Sequence, residues 1–176
     1  MQTLILVDRD DNFLGYASRE ECHRGDGKLH RAIAVVLFNE RGEFLLQKRK
    51  SFLWDGYWDI TGATHPLHLS ERDETYEEAA QRFLQSEWNI VIPVQRIFSF
   101  FYFERFKKYC EHELCALLMG ECSSSVQFNP EYAYDMRWCT IEQCQSEIKQ
   151  SPSSFTPWAK IALEKLAKYG LRLMMS

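Results

Sequence analysis

Residues 29–49 read LHRAIAVVLFNERGEFLLQKR, and this stretch decides the fold class. Two apolar runs, AIAVVLF and EFLLQKR, flank a polar segment from Asn39 to Gly42. Runs rich in β-branched and aromatic residues, separated by Asn and Gly, are typical of two strands joined by a turn. We therefore predict a strand, a turn and a second strand here.

Further strands are predicted on both sides of this unit. Upstream, TLILVD and FLGYAS form an N-terminal hairpin that turns at Asp10, Asp11 and Asn12. Downstream, short apolar segments predict strands near YWDIT and at VQRIFSFFYF, HELCALLMGE and YDMRWCT. Together with the helices described next, they predict an α/β (α+β) fold, a mixed β-sheet sandwiched between helices, in a single domain that spans residues 1–176.

Three helices are predicted. The first runs from about Glu74 to Trp88, with Asp73 or Thr75 as its cap and acidic residues at its positive end. Its apolar residues follow the helical period, so one face packs on the sheet: Tyr76, Ala79, Ala80, Phe83 and Leu84. The second lies near IEQCQSEI, and the third begins at Pro157 and ends at Gly170.

Three histidines and two glutamates are candidate metal ligands: His23 and His30 in CHRGDGKLH, His65 in THP, and Glu111 and Glu113 in CEHEL. The two glutamates are two positions apart, so on a strand they point to the same face. Imidazole nitrogens and carboxylate oxygens together suit octahedral Mn²⁺ or Mg²⁺, or Zn²⁺. An ordinary polar surface is the alternative, because a chain of this length carries several His and many Glu by chance.

The sequence around these residues resembles the type 1 isopentenyl-diphosphate isomerases, the isomerase branch of the Nudix superfamily. The similar stretches run in the family's order and cover most of the chain: residues 29–49, GYWDITGATHP (56–66), AAQRFLQSEWNI (79–90), CEHELCALL (110–118) and FTPWAKI (155–161). The resemblance implies one metal site, formed by His23, His30, His65, Glu111 and Glu113. It also implies a second magnesium, which Glu87 holds against the substrate diphosphate.

The resemblance further implies three residues for a reaction that protonates an alkene and removes a proton from a neighbouring carbon. Glu113 matches the family's acid, Tyr102 the tyrosine beside it, and Trp158 the ring that faces the cationic state, although Trp158 is equally consistent with plain core. One departure dominates, because the position of the family's catalytic cysteine is Ala63 here. An alanine neither accepts nor donates a proton, so one side of the machinery is missing.

This loss leaves several functions open. We predict an isomerase-like enzyme that acts on an isoprenoid diphosphate by alkene protonation, with isomerase activity weak or redirected; water, Thr61 or Thr64 would then serve as the base. The alternatives are a prenyl diphosphate cyclase or rearrangement enzyme, a non-catalytic diphosphate-binding module, and a Nudix hydrolase. Hydrolysis is disfavoured because Phe83 and Ser86 replace two of the glutamates that hold Mg²⁺ in the hydrolase motif.

Diphosphate contacts follow from the same resemblance. Arg19 and Arg49 match two of the family's basic residues, and Lys50 stands near a third across a two-residue deletion. The arginine of the family's helix is Phe83 here, and losing a bidentate phosphate contact weakens binding of a small diphosphate. A larger prenyl chain would recover affinity through apolar contacts, for which a phenylalanine-rich strand is available: Phe98, Phe100, Phe101, Phe103 and Phe106.

Composition limits the remaining possibilities. A net charge of −4 and a pI of about 5.8 disfavour nucleic acid as a partner. No apolar run is long enough for a membrane span, and MQTLILVDRDD reaches charge too early for a signal peptide. Six cysteines without C-x-x-C spacing predict free thiols in the cytoplasm. We expect a monomer or small homo-oligomer that binds a small-molecule isoprenoid diphosphate.

Overall fold

The computed structural model describes the backbone of residues 2–174 and the side chains of residues 2–170. Its strands are β1 (Thr3–Val7), β2 (Phe13–Ser18), β3 (His30–Phe38), β4 (Phe44–Arg49), β5 (Trp58–Asp59), β6 (Gly62–Thr64), β7 (Gln95–Phe106), β8 (Tyr109–Glu121) and β9 (Ala133–Cys139). Its α-helices are α1 (Arg19–His23), α2 (Tyr76–Phe83), α3 (Ile141–Gln150) and α4 (Pro157–Met174). A π-helical turn, Leu84–Trp88, continues α2, and a 3₁₀ turn, Pro152–Ser154, precedes α4.

Strand β3 is the centre of a mixed sheet. It runs parallel to β8 from the pair His30–Glu113 to the pair Phe38–Glu121, and antiparallel to β6, β1 and β4. The β7–β8 hairpin extends one side, and β9 and β5 pair with β4. The parallel register places His30 directly beside Glu113, so two predicted ligands meet within the sheet.

Helices cover both faces of this sheet. Residues of α4, among them Trp158, Ala162 and Leu163, pack in the core on one face. On the other face, α2 packs in the core through Ala79, Ala80 and Phe83, as their helical spacing predicts. The observed architecture confirms the predicted α+β fold with a mixed sheet between helices. None of the helices in the described part of the chain combines the length and apolar character that crossing a membrane requires.

Local signals account for the element boundaries. The β1–β2 hairpin turns as predicted, because the Asp8 carboxylate accepts hydrogen bonds from the backbone N–H and side-chain amide of Asn12. Of the two candidate caps of α2, Thr75 is the one used: its hydroxyl accepts from the Glu78 N–H, and the Glu78 carboxylate accepts from the Thr75 N–H.

One predicted helix end was wrong, and one helix was not predicted. The last helix does not end at Gly170 but continues to Met174. Glycine costs a helix only about 1 kcal/mol relative to alanine, and the following Leu-Arg-Leu-Met are good helix formers that outweigh it. Helix α1 was not predicted, although Ser18 and Glu21 form a capping box, which is a sequence signal for a helix start.

Candidate metal centre and anion-binding cavity

Helix α1 positions His23. The capping box begins the helix immediately after β2, and the single turn brings His23 to a buried position at its last residue. Its Nδ1 lies 2.8 Å from the carbonyl oxygen of Arg19, one helical turn earlier. Because the backbone contact engages Nδ1, the second ring nitrogen, Nε2, faces the cluster described next.

His30 and His65 are oriented by the central sheet. His30 begins β3, is completely buried, and holds its Nδ1 2.7 Å from the carbonyl oxygen of Lys28. His65 directly follows β6, the strand that pairs with β3 on the side opposite β8. The three imidazoles pack against one another, with ring centroids 4.8 to 5.0 Å apart.

Four predicted ligands form one compact group. The ligand atoms of His23, His30, His65 and Glu113 all lie within 4.8 Å of one another, and all four side chains are buried. Glu113 Oε1 is the common partner, at 2.9 Å from Nε2 of His65, 3.6 Å from that of His30 and 3.9 Å from that of His23. The fifth predicted ligand, Glu111, is outside this group, but its Oε2 is 3.1 Å from His23 Nε2.

The chemistry of this group fits a metal ion. Among the described residues, His23 Nε2, His30 Nε2 and Glu111 Oε2 are buried without a hydrogen-bonding partner. Leaving a buried polar atom unsatisfied costs about 1–3 kcal/mol, so three such atoms at one point need an external partner. A divalent cation provides one, since imidazole nitrogens and carboxylate oxygens are its usual ligands.

The two carboxylates differ in protonation. Burial raises the pKa of Glu111 well above its usual value, and the neighbouring charge of Glu113 adds to this. Burial acts in the same direction on Glu113, but the close contacts of its carboxylate with the imidazoles of His30 and His65 hold its pKa well below the usual value. Burial lowers the pKa of His65 to about 3. Glu113 is therefore the ionised carboxylate of the pair, and His65 presents a neutral ring.

The three residues predicted to be catalytic lie together. Glu113 belongs to the histidine–glutamate group, and Tyr102 and Trp158 lie beside it. Tyr102 is opposite Glu113 in the β7–β8 register, and its hydroxyl donates a hydrogen bond to Glu113 Oε2. The Trp158 ring, at the start of α4, is 6.1 Å from the Tyr102 ring. All three side chains are buried.

Trp158 also contacts a cation that the sequence did not connect with it. The guanidinium carbon of Arg49 lies 5.0 Å from the centre of the Trp158 ring, within the range of a cation–π interaction. Arg49 Nη1 donates to Asp59 Oδ2 at 2.8 Å, and the Thr156 hydroxyl donates to Asp59 Oδ1 at 3.0 Å. Asp59, completely buried on β5, thus fixes the predicted substrate-binding arginine against the predicted catalytic ring.

A cationic cavity of about 320 Å³ adjoins this region. Its lining includes the three basic residues that were predicted to bind diphosphate, namely Arg19, Arg49 and Lys50. Arg82 and Glu87 also line it. Arg82 Nη2 donates to the carbonyl oxygen of His65 at 2.8 Å, which connects the cavity wall to the histidine cluster. Sequence reasoning did not assign Arg82 to this cavity, although it precedes Phe83, where a phosphate-binding arginine was expected.

Residues 28–159 match the model of the NUDIX domain. The chain is 34% identical to the isopentenyl-diphosphate Delta-isomerase of Serratia proteamaculans (strain 568), in an alignment that covers 89% of this chain and 87% of the relative. It is 33% identical to the enzyme of the same name from Haloarcula marismortui, with 93% and 90% covered. The chain belongs to the isopentenyl-diphosphate isomerase branch of the Nudix family. In fold it is similar to the crystal structure of DR0079 from Deinococcus radiodurans, with a TM-score of 0.72 at 18% identity, covering 93% of this chain and 98% of that one.

Helix α2 turns Phe83 away from the cavity, in agreement with the apolar face that its helical spacing predicts. Phe83 does not stand in for a phosphate contact at the cavity: it is buried in the core and packs so closely on Gly62 that a Cβ there would lie 2.1 Å from its Cζ. Glu87, on the π-helical turn, is half-buried at the cavity wall, and burial raises its pKa to about 7. Single π-helical turns are frequent at functional sites.

Ala63 and Thr64 form another part of the cavity wall. Ala63 also packs on the core cluster that contains Tyr102 and Trp158, so the position of the family's cysteine lies between the cavity and these residues. The prediction of Thr61 as a candidate base was wrong. Its buried hydroxyl accepts a hydrogen bond from the Leu37 N–H at 2.8 Å and donates one to the Leu45 carbonyl at 3.1 Å, so both of its hydrogen-bonding roles are taken within the fold.

Proposed function

We propose that this protein is a metal-dependent enzyme that protonates the alkene of an isoprenoid diphosphate, with isomerase turnover weak or redirected because Ala63 replaces the catalytic cysteine. One observation carries the proposal: the histidine–glutamate group, with Tyr102 donating to Glu113, lies next to a cavity lined by basic side chains. Its relatives named isopentenyl-diphosphate isomerase support the same class of substrate.

The cavity binds the diphosphate in this proposal. Arg19, Arg49 and Lys50 contact its oxygens, and Arg82, whose guanidinium is paired with Glu74, lies on the same wall. Arginine suits this role because its planar guanidinium matches phosphate geometry with two parallel hydrogen bonds. Glu87 lies on the same wall and would hold a magnesium ion that accompanies the diphosphate.

His23, His30, His65, Glu111 and Glu113 would hold one divalent ion, Mg²⁺, Mn²⁺ or Zn²⁺. When bound, that ion supplies a fixed positive charge that favours the ionised form of Glu113 and keeps its carboxylate in place. The carboxylate in turn accepts the hydrogen bond of Tyr102, so the pair shares one mobile proton next to the site of reaction.

Tyr102 keeps its hydroxyl proton at neutral pH, so the proton that the alkene takes would leave the Tyr102–Glu113 pair as a whole and be replaced from water. Burial and the charge of Glu113 raise the pKa of Tyr102 well above its usual value. Protonation of an alkene carbon leaves a positive charge on its neighbour, and Trp158 provides an aromatic surface for that charge, worth about 2 kcal/mol when desolvated. Arg49 lies over this ring and Trp54 and Tyr102 pack around it, so the cationic carbon would have to approach the ring beside these side chains.

The part of the site that would remove a proton from the cation lacks a strong base. Ala63 offers no base, so a proton leaves to water or to the hydroxyl of Thr64 beside it. Slow deprotonation lengthens the life of the cation, which then has time to rearrange or cyclise within a longer substrate. This is the alternative outcome that the same acid face supports.

The test supplies metal-loaded protein with isopentenyl diphosphate and longer prenyl diphosphates in D₂O, with products identified by NMR and mass spectrometry. Deuterated dimethylallyl diphosphate supports isomerisation, and a deuterated rearranged or cyclic product supports the redirected reaction. Release of phosphate without deuterium would instead favour a hydrolase, and unchanged substrates would favour a binding module. Tyr102→Phe should reduce deuterium uptake on the order of 100-fold.

A thiol variant tests the role of Ala63 directly. Ala63→Cys should raise isomerase turnover, because it restores a base at the boundary between cavity and core. Ser51→Cys is the matched control, since it places a thiol on another part of the same cavity wall. Equal gains from both variants, or none from Ala63→Cys, would contradict the assignment of this position.

We also infer action in a reducing compartment such as the cytoplasm, which is supported by six buried cysteines that are all free thiols.

A further inference from the structure

A second cavity adjoins the cationic cavity of about 320 Å³, which we call the anion-binding cavity. It encloses about 340 Å³, and three apolar or aromatic side chains form one side of it: Phe52, Leu53 and Tyr109. We call these three residues the apolar mouth. Arg19 and Ser51 line both cavities, so the two cavities border each other at these residues.

The loop between β4 and β5 holds the apolar mouth in place at a cost in backbone conformation. Trp54 has a φ of +51°, a left-handed conformation that is unusual for a bulky residue and that persists only where its surroundings enforce it. Its buried ring packs 5.2 Å from Trp158 and 4.7 Å from Phe106. This anchor leaves the two preceding residues, Phe52 and Leu53, at the edge of the cavity.

Phe52 is exposed to an unusual degree. Its exposed fraction is 77%, and its ring meets Tyr109 edge to face at a centroid distance of 5.2 Å. A phenyl ring in water gains nothing from the hydrophobic effect, and two aromatic rings at a cavity edge present an apolar surface to a ligand.

The cavity of the apolar mouth also borders the candidate metal group, which is formed by His23, His30, His65 and Glu113. The lining of the anion-binding cavity includes Ala63 but, among the described residues, none of Glu113, Tyr102 and Trp158. His23, by contrast, lines the cavity of the apolar mouth. A hydrocarbon attached to a diphosphate in the anion-binding cavity therefore passes Arg19 and Ser51 and reaches apolar surface beside a metal ligand.

We propose that the apolar mouth is a binding subsite for the hydrocarbon tail of prenyl diphosphates longer than one isoprene unit. The inference rests on the proposed function, because the diphosphate must occupy the neighbouring cavity. It deepens that function by naming the longer prenyl diphosphates as the preferred substrate class. A second isoprene unit, if half of its apolar surface is buried, tightens binding about 30-fold.

Calorimetric titration of the magnesium-loaded protein tests this subsite. The ligands are inorganic diphosphate and the dimethylallyl, geranyl and farnesyl diphosphates, which share a head group and differ in tail length. The variant is Phe52→Ser combined with Leu53→Ser. Phe13→Ser is the matched control, because Phe13 is another exposed phenylalanine, 53% exposed, and lies outside the lining of both cavities.

The wild-type protein and the Phe13→Ser variant should bind geranyl diphosphate about 30-fold more tightly than dimethylallyl diphosphate. In the double variant this ratio should fall below about threefold, while its affinity for inorganic diphosphate stays unchanged, which also shows that the variant is folded. Equal affinity for all tail lengths, or an unchanged ratio in the double variant, overturns the subsite alone. Failure of the wild-type protein to bind inorganic diphosphate overturns the proposed function and the subsite with it.

Discussion

Replacing His23 with glutamine should remove most of the stabilisation that a divalent metal gives this protein. His23 joins the group through Nε2, which is buried and lacks a hydrogen-bonding partner among the described residues. Glutamine has a similar volume, and α1 is begun by Ser18 and Glu21 rather than by His23, so the variant keeps the helix. The change therefore removes a ligand with little effect on packing.

The size of the effect follows from binding linkage. Metal at about 100 times its Kd stabilises the folded state by about 2.7 kcal/mol. For a domain of this size, that corresponds to an increase in Tm of about 5–10 °C. If the variant binds metal about 100-fold more weakly, the same concentration only equals its Kd, and the stabilisation falls to about 0.4 kcal/mol.

Scanning calorimetry with Mg²⁺, Mn²⁺ or Zn²⁺, before and after chelation, measures this difference. His68→Gln is the matched control, since His68 lies outside the group and holds its Nδ1 2.8 Å from Asp73 Oδ1. The reasoning is refuted if metal leaves the wild-type Tm unchanged, if His23→Gln keeps the full shift, or if His68→Gln loses it as well.

Three further predictions follow from the cavity and its supports. Because burial raises the pKa of Glu87 to about 7, its carboxylate ionises only as pH rises through that value, so magnesium-dependent diphosphate affinity should increase through pH 7 and level off about one pH unit above it. Titration calorimetry at several pH values checks this, and Glu87→Gln should remove the pH dependence. Arg49→Lys should weaken diphosphate binding about tenfold, because lysine keeps the charge but not the fork that contacts Asp59 and Ser51, whereas Arg41→Lys, at an exposed hairpin, should leave it unchanged. Gly62→Ala should lower the free energy of unfolding by about 1–3 kcal/mol through overpacking on Phe83, and Gly170→Ala, with open space around its Cβ, should raise it by up to about 1 kcal/mol; denaturant unfolding distinguishes the two signs.

The sequence predicted those features whose cause is local. Alternation and turn residues placed the strands, and Thr75 was one of the two caps predicted for α2. The resemblance to the isomerase family supplied the ligands, four of which the fold brings together. Helix α1 was missed because five residues carry too little periodicity, and only the capping box of Ser18 and Glu21 marked it.

Contacts between distant segments were beyond the sequence. Asp59 and Thr156 are 97 positions apart, and neither residue shows by its neighbours that it supports Arg49. Arg82 was not assigned to the cavity, because only the winding of α2 shows that this side chain turns toward the cavity while Phe83, one position later, packs on Gly62. A residue type identifies the chemistry that is available, whereas the direction of a side chain depends on the helix and sheet around it.

The two sides of the proposed reaction have been affected unequally. The protonating side combines Glu113, whose pKa the contacts with His30 and His65 hold low, with Tyr102, whose pKa burial and the charge of Glu113 raise. The deprotonating side depended on one cysteine, whose replacement by Ala63 disturbs no hydrogen bond of the protonating side. In a site that makes a cation readily and discharges it slowly, the product depends on what the cation meets first. Under the proposed function, a five-carbon substrate would meet water or Thr64, whereas a longer tail in the subsite proposed at Phe52 and Leu53 would offer a second alkene of the same molecule. The absent cysteine and the proposed subsite would therefore favour the same outcome, a carbon–carbon rearrangement or ring closure in place of a simple double-bond shift.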